Sequence, residues 1–370
     1  STSIPAPNVS RVDSCMIDVD PFEVLTSAPP EFPETTAHKL LQTHYGLDGE
    51  FESLTSERDQ NFRVRTPGGE EFVLKIANSA EDPTITDLQV SVLMHLEASR
   101  PDLLVPRVVR TNTGDTQLRI PGAGNRTHTM RMLTWVAGVP VGQVTLRPGV
   151  AAQMGSTLAK LGTALSGFEH PASDYPLLWD IKQAGRLEPL LDYVSDLELR
   201  SICAQCLRRF AAWTEPRLAD CRTQVIFNDL NASNVLVDPD EPDRVVGIID
   251  FGDIVKSPLV IDIAVAAAYL FRGGTSPLDD VFGFLAAYHA ESQILANEFA
   301  LLPELMRMRN VLTIVIASWR AARYPDNSEY ILRSVEHARL MLDTLAARDN
   351  AELARTFEDY CNGHKDPGKS

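Results

Sequence analysis

Asp229 and Asn234 stand in VIFNDLNASNVLV (225–237), and one Asp- and Pro-rich turn later the chain reaches Asp250-Phe251-Gly252. A Dx4N loop can project both side chains into one cleft. The intervening hairpin, VLV…VVGIID, returns the chain so that Asp250 faces them. A carboxylate placed at an acceptor hydroxyl can take or orient its proton. Oxygen ligands from an amide and a second carboxylate suit Mg2+ on nucleotide phosphates. Together these are the requirements of phosphoryl transfer. Asp229 is therefore expected to serve as the catalytic carboxylate, with Asn234 and Asp250 as Mg2+ ligands. Either motif alone is a common loop sequence. Their order and their separation by a single hairpin carry the reading.

The elements around them follow a consistent plan. Residues 1–34 are rich in Ser, Pro and Thr and read as a flexible arm. ETTAHKLLQTHYGLDG reads as a helix ending at Gly46. Strands are expected at FESLTSE, NFRVRT and EEFVLKIA, the last two joined by a Pro67-Gly68-Gly69 turn. Ile85, Leu88, Val92 and Leu96 then fall at helical spacing. More strands are expected at LVPRVVRT, TQLRI and THTMRMLTWV. Beyond Gly138 helical periodicity dominates 147–168, 195–217, 260–272, 277–298, 300–322 and 327–348, with a strand-rich interruption at 222–255. The expected fold class is α+β, with a small β-rich lobe at 35–135 and a larger helical lobe at 136–365.

Composition narrows the functional classes. Thirty-four Lys and Arg against fifty Asp and Glu give the 370-residue chain a net charge of −16, the wrong sign for a general nucleic-acid coat or an anionic-membrane binder. The longest apolar stretch, VIDIAVAAAYLF, is too short to span a bilayer and carries Asp262, so a buried helix is expected there. No secretory signal is visible at the start. Five cysteines point to a reducing compartment, so a cytoplasmic location is expected, and Cys203-x-x-Cys206 reads as two thiols on a helix rather than half of a zinc site. Oligomeric state is not legible.

The chain resembles the aminoglycoside phosphotransferase and choline kinase family, which has a bilobal protein-kinase-like fold. Within it the resemblance is greatest to hydroxylysine kinases and their bacterial relatives. It rests on YGLDGEFESLTSERDQNF (45–62), EFVLKIAN (71–78), MRMLTWVAGVPV (130–141), LLWDIKQA (177–184), VIFNDLNASNVLV and VVGIIDFGDIVKSPLVIDIAVAAAYL (245–270). The resemblance implies ATP or GTP as phosphoryl donor with Mg2+. It implies that Lys75 neutralises the donor phosphates, that the Thr55–Asp59 loop, with Ser56 and Arg58, lies over them, and that Met132 and Leu133 belong to the hinge holding the purine. Two positions depart from the family pattern. Phe227 stands where a His usually precedes the catalytic Asp, and an aromatic ring can fill that architectural space. Gln89 stands where a Glu would pair with Lys75 and can offer a hydrogen bond but no charge. Both departures keep a second class open, a nucleotide-binding pseudokinase.

For the acceptor, Trp179 and Asp180 could receive an ammonium group on an aromatic face and a carboxylate. Asp253 and Asp262 resemble further acids of small-molecule kinases, although Asp262 would serve equally well as a bracket for the catalytic loop. Arg320 suits a substrate carboxylate. The resemblance implies a small cationic amino-alcohol or hydroxylated amino acid, with 5-hydroxylysine as the leading candidate, and these residues suit such an acceptor. An aminoglycoside would use the acids without Arg320, choline would want an aromatic cage, and homoserine a shorter pocket. The passage from DFGD through IVKSPLV into an apolar helix leaves no room for a peptide-binding activation segment, which disfavours a protein acceptor.

Overall fold

A computed structural model describes residues 22–56, 58–145, 149–271 and 275–363. Cys15, one of the five cysteines, and Glu57, within the Thr55–Asp59 loop, lie outside these residues. A short helix α1 (Glu23–Thr26) leads to α2 (Glu34–Tyr45), which ends at Gly46 in the left-handed region, as the sequence indicates. Strands β1 (Glu50–Leu54), β2 (Gln60–Arg65) and β3 (Glu71–Ile76) follow, then helix α3 (Pro83–Ser99). Pro83 opens α3, and the Asp82 carboxylate caps it by accepting from Thr84 N at 2.8 Å. Strands β4 (Val108–Val109), β5 (Leu118–Pro121) and β6 (Thr127–Thr134) complete an antiparallel sheet in the order β1-β2-β3-β6, with β4 and β5 sharing the far edge of β6.

The two helices of this lobe divide the work. Ala37, Leu41 and Tyr45 of α2 pack on Phe62, Val64, Leu74, Ile76, Met130 and Met132 of the sheet. By contrast, Ile85, Leu88, Val92 and Leu96 of α3 belong to the large apolar cluster of the helical lobe. Helix α3 is thus built into the lobe that carries the catalytic loop.

The chain crosses between lobes at 135–138. Strand β7 (Val139–Pro140) comes next, then α4 (Val150–Ala164), a 3-10 segment (Ile181–Tyr193), α5 (Leu197–Arg209) and α6 (Glu215–Leu218). Strands β8 (Thr223–Ile226), β9 (Val235–Val237), β10 (Val245–Ile248) and β11 (Val255–Pro258) frame the catalytic loops. Helices α7 (Leu259–Ala268), α8 (Asp279–Glu291), α9 (Ala296–Arg323), α10 (Ser328–Ala346) and α11 (Asn350–Cys361) finish the fold. Every residue of α7 is buried, which suits a helix apolar all round. No helix among the described residues is long and apolar enough to cross a membrane. Cys203 and Cys206 lie in α5, where burial pushes the Cys203 thiol up to about 12, far from a reactive thiolate.

One expectation needs correction. The arm assigned to 1–34 lies outside the described residues as far as 21, but from Phe22 onward the chain is packed. Leu25 and Pro30 are buried, and Phe22 sets its ring edge against Trp319 at 5.6 Å. A few apolar side chains suffice to dock a segment whose average composition is that of a linker.

Candidate functional site

Between β8 and β9 the chain turns sharply through Asn228, whose φ of 63° puts a non-glycine residue in the left-handed region. The turn is held from below. Asp262, in the first turn of α7, accepts from Asn228 N at 2.8 Å and Phe227 N at 3.3 Å. Asp262 is 2 % exposed, so it is a bracket for the catalytic loop and not a substrate ligand. Burial raises its carboxyl to about 6, above its unfolded value, so the stability it contributes is complete at low pH and is lost as pH rises through about 6. Asp262→Ala leaves two buried N–H groups without acceptors and should lower stability by about 2–4 kcal/mol. In denaturant titrations that deficit should shrink between about pH 4 and pH 7.

Phe227 itself is fully buried and meets Phe251 of the Asp-Phe-Gly turn edge-on at 5.0 Å. The ring fills the space under the Asp-Phe-Gly turn, as expected of an architectural residue. Phe227→His should therefore change kcat by less than about threefold, under ~0.7 kcal/mol in barrier. A steady-state assay checks this.

Asp229 follows directly. Its Oδ1 accepts from Asn231 Nδ2 at 3.0 Å and from Arg309 Nη2 at 3.2 Å, and its Oδ2 accepts from Asn234 Nδ2 at 2.7 Å. Burial, with the Asp253 and Asp250 charges, raises its carboxyl to about 7 against the opposing pull of Arg309. Arg309 is the residue that the sequence reading missed. It is 3 % exposed, lies over the rings of Trp179 (5.0 Å) and Tyr269 (5.4 Å), and donates to Trp179 O at 3.0 Å and Tyr269 Oη at 2.8 Å. The cation on Trp179 is therefore Arg309. Helical spacing held a clue, because Arg309 lies three turns before Arg320 on the same face of α9.

Asp250 also has a left-handed backbone, with φ 64°, and its Oδ1 lies 3.7 Å from Lys75 Nζ. The ammonium of Lys75 holds the Asp250 carboxyl below its usual range. Gln89 is not the partner of Lys75. Its amide nitrogen donates to Gly252 O at 3.2 Å and to Glu81 at 3.2 Å, while its oxygen accepts from Arg131. Since α3 is packed with the helical lobe, Gln89 clasps the Asp-Phe-Gly turn. Glu81, just before α3, was not foreseen. Burial and the nearby Asp59 raise it to about 7, with Arg58, Arg131 and Lys75 opposing.

Arg58 and Asp253 form an ion pair of 2.7 Å across the lobes. Burial would lower the Arg58 pKa, but Asp253, Glu81 and Asp59 outweigh it and the net shift is upward. Two residues expected on different ligands, phosphate and acceptor, are thus partners of each other. Ser56 accepts from Asp59 N at 3.2 Å, shaping the loop that carries Arg58.

Two other placements differ from expectation. Asp180 is fully buried, where it caps the 3-10 segment through Lys182 N (3.0 Å) and accepts from Ser257 Oγ (2.9 Å). It holds structure rather than substrate, because its neighbour Trp179 faces the cleft while Asp180 turns inward. Met132 and Leu133 pair with Leu74 and Val73 of β3 on one side and with Val109 and Val108 of β4 on the other. A strand flanked on both edges has little backbone to offer a purine. Trp135 N still donates to Glu71 O at 3.0 Å, so the backbone clear of the sheet begins beyond it, within the 135–138 linker.

The remaining residues converge. A cavity of about 850 Å3 is lined by Ser56, Arg58, Lys75, Glu81, Gln89, Trp179, Asp229, Asn234, Asp250, Asp253 and Arg320. Asn234 turns its amide nitrogen to Asp229, which leaves its oxygen as acceptor. With the carboxylate of Asp250 it forms an oxygen-only donor set of the kind hard divalent cations take. The mutual crowding of Asp229, Asp250 and Asp253 is charge that such a cation would offset. The residues fit Mg2+.

Residues 50–296 match the phosphotransferase enzyme family, APH. The chain is 30% identical to a hydroxylysine kinase of Mus musculus over 327 residues, covering 83% of this chain and 87% of that one. A hydroxylysine kinase of Bos taurus is 26% identical, covering 85% and 90%. In fold it is similar to an amicoumacin kinase in complex with AMP-PNP, Ca2+ and Ami (TM-score 0.67, 14% identity, 87% and 97% covered) and to a microcompartment-associated aminopropanol kinase (TM-score 0.59, 19% identity, 90% and 98% covered). With a bilobal kinase-like fold and a family match over most of its length, the chain belongs to the APH phosphotransferase family and is a small-molecule kinase.

Proposed function

We propose that the protein transfers the γ-phosphoryl group of ATP or GTP to the hydroxyl of a hydroxylated amino acid, 5-hydroxylysine being the acceptor favoured. Asp229 takes the proton of the attacking hydroxyl, and Arg309 holds that carboxylate in place. Lys75 meets the donor phosphates, with the Ser56–Asp59 loop above them. Asn234 and Asp250 hold Mg2+, which supplies neutralisation of the phosphate charge. The purine edge is met by backbone groups of the 135–138 linker. A cationic acceptor suits the carboxylates around Asp229, and Arg320 on α9 suits a carboxylate at the acceptor's other end.

The observation that carries this reading is the convergence of Asp229, Asn234, Asp250 and Lys75 on one cavity that also contains Arg320. The names of the mammalian relatives support the acceptor, and the cavity volume supports a small one. A site of 300–1,000 Å3 is what one drug-sized ligand needs, so a bound nucleotide leaves little room for an aminoglycoside.

The test is a nucleoside-diphosphate release assay with ATP and with GTP over hydroxylysine, homoserine, ethanolamine, choline and kanamycin. Turnover of kanamycin or choline and of no amino acid would sink the acceptor assignment. Arg320→Ala should weaken an amino-acid acceptor by about 1.5–3 kcal/mol, a 10- to 150-fold rise in KM. An amino alcohol without a carboxylate should be little affected.

A further inference from the structure

The segment from Phe22 to Phe32 forms one wall of the catalytic cavity and is fastened to both lobes. At the helical lobe, Phe22 rests edge-on against Trp319, Leu25 is buried in the main apolar cluster, and Tyr324 Oη donates to Leu25 O at 3.2 Å. At the β-rich lobe, Asn78 Nδ2 donates to Ala28 O at 3.2 Å. Phe32 exchanges two hydrogen bonds with the Gln60 side chain, of 2.7 and 2.9 Å, and meets the His128 ring at 5.2 Å. Between these anchors Leu25, Ser27 and Pro29 line the same cavity as Asp229, Asp253 and Arg320.

The chemistry of this wall complements the rest of the site. Asp229 and Asp253 offer carboxyl oxygens and Arg320 a guanidinium, whereas Leu25 and Pro29 are apolar. An acceptor with polar groups at both ends and a short aliphatic stem between them would match all three. Pro29 and Pro30 stiffen the span, so little conformational freedom is lost when a ligand packs on it.

We infer that residues 22–32 are the specificity wall of this kinase: they select a small acceptor with an aliphatic stem by packing on it, and they exclude bulky polycyclic acceptors by closing that side of the cavity. The inference deepens the acceptor assignment above and rests on it only for the ligand's name.

Two chains test it, each assayed with ATP against the acceptor panel. One lacks residues 1–31, and the other is the full chain carrying Leu25→Ala and Pro29→Ala, which trims the wall while the Phe22, Tyr324, Asn78 and Gln60 contacts still hold it. In the double variant, KM for whichever small acceptor turns over should rise at least tenfold, while KM for ATP stays within threefold. The ratio of kcat/KM for kanamycin to that for the small acceptor should rise at least tenfold. The truncated chain, if it folds, should exceed both changes. If it does not fold, the double variant decides, with its Tm measured alongside. An unchanged acceptor KM and an unchanged ratio in the double variant overturn the inference. A preferred small acceptor other than hydroxylysine overturns only the acceptor assignment and leaves this comparison intact.

Discussion

Asp229→Asn is expected to lower kcat by about 10^3-fold or more, equivalent to ~4 kcal/mol of transition-state stabilisation. Asn keeps the volume and can still bond Asn231 and Arg309, but it cannot take the acceptor proton. Lys75 and the 135–138 linker are untouched, so nucleotide affinity should stay within about threefold, well under 1 kcal/mol. Asp250→Ala gives the opposite pattern. It removes an oxygen ligand and the carboxylate facing Lys75, so metal-dependent nucleotide binding should be lost with the activity. Calorimetric titration of nucleotide with and without Mg2+ separates the two. Near-native turnover in Asp229→Asn would overturn the assignment of the base.

Arg309→Ala is expected to have the second-largest effect, on both activity and stability. The guanidinium is 3 % exposed, pairs with Asp229 and lies over two aromatic rings. Removing one member of a buried ion pair leaves an uncompensated carboxylate, a loss of about 3–5 kcal/mol. The vacated space beside Trp179 and Tyr269 adds to it. For turnover, a base without its orienting partner should lose about 10^2-fold in kcat, the scale of a positioned proton acceptor. Arg309→Lys distinguishes positioning from plain structure. It restores the charge but not the planar contact with both rings, so stability should recover in part while kcat stays depressed. Equal recovery of both would assign Arg309 a structural role only.

The residues legible in the sequence are those whose chemistry depends on short spacing. Asp229, Asn234 and Asp250 converge because one hairpin, β9–β10, connects them, and that hairpin is written in VLV and VVGII. The helices were legible for the same reason, since α3, α7 and α9 each satisfy an apolar period over several turns. Contacts made by distant segments were not. Arg309 reaches Asp229 from 80 residues away, and Arg58 reaches Asp253 from 195. Gln89 sat at the expected place on its helix, yet α3 is packed with the larger lobe and presents it to Gly252. Asp180 was misread because a cap and a ligand look alike in one dimension. Strand β7 is two residues long, too short for any alternation to appear.

That last element has a mechanical consequence. Strand β7 begins immediately after the linker and pairs with β9, whose first residue follows Asn234. Packing there is tight. A Cβ at Gly138, where φ is 152°, would come within 2.8 Å of Leu236 Cβ, and one at Gly247 within 2.6 Å of Val136 Cγ1. The link between the two lobes is therefore bonded, through β7, to the hairpin that Asn234 and Asp250 flank. A side chain at Gly138 or Gly247 would press on these strands and, through them, on the loops that hold Asn234 and Asp250.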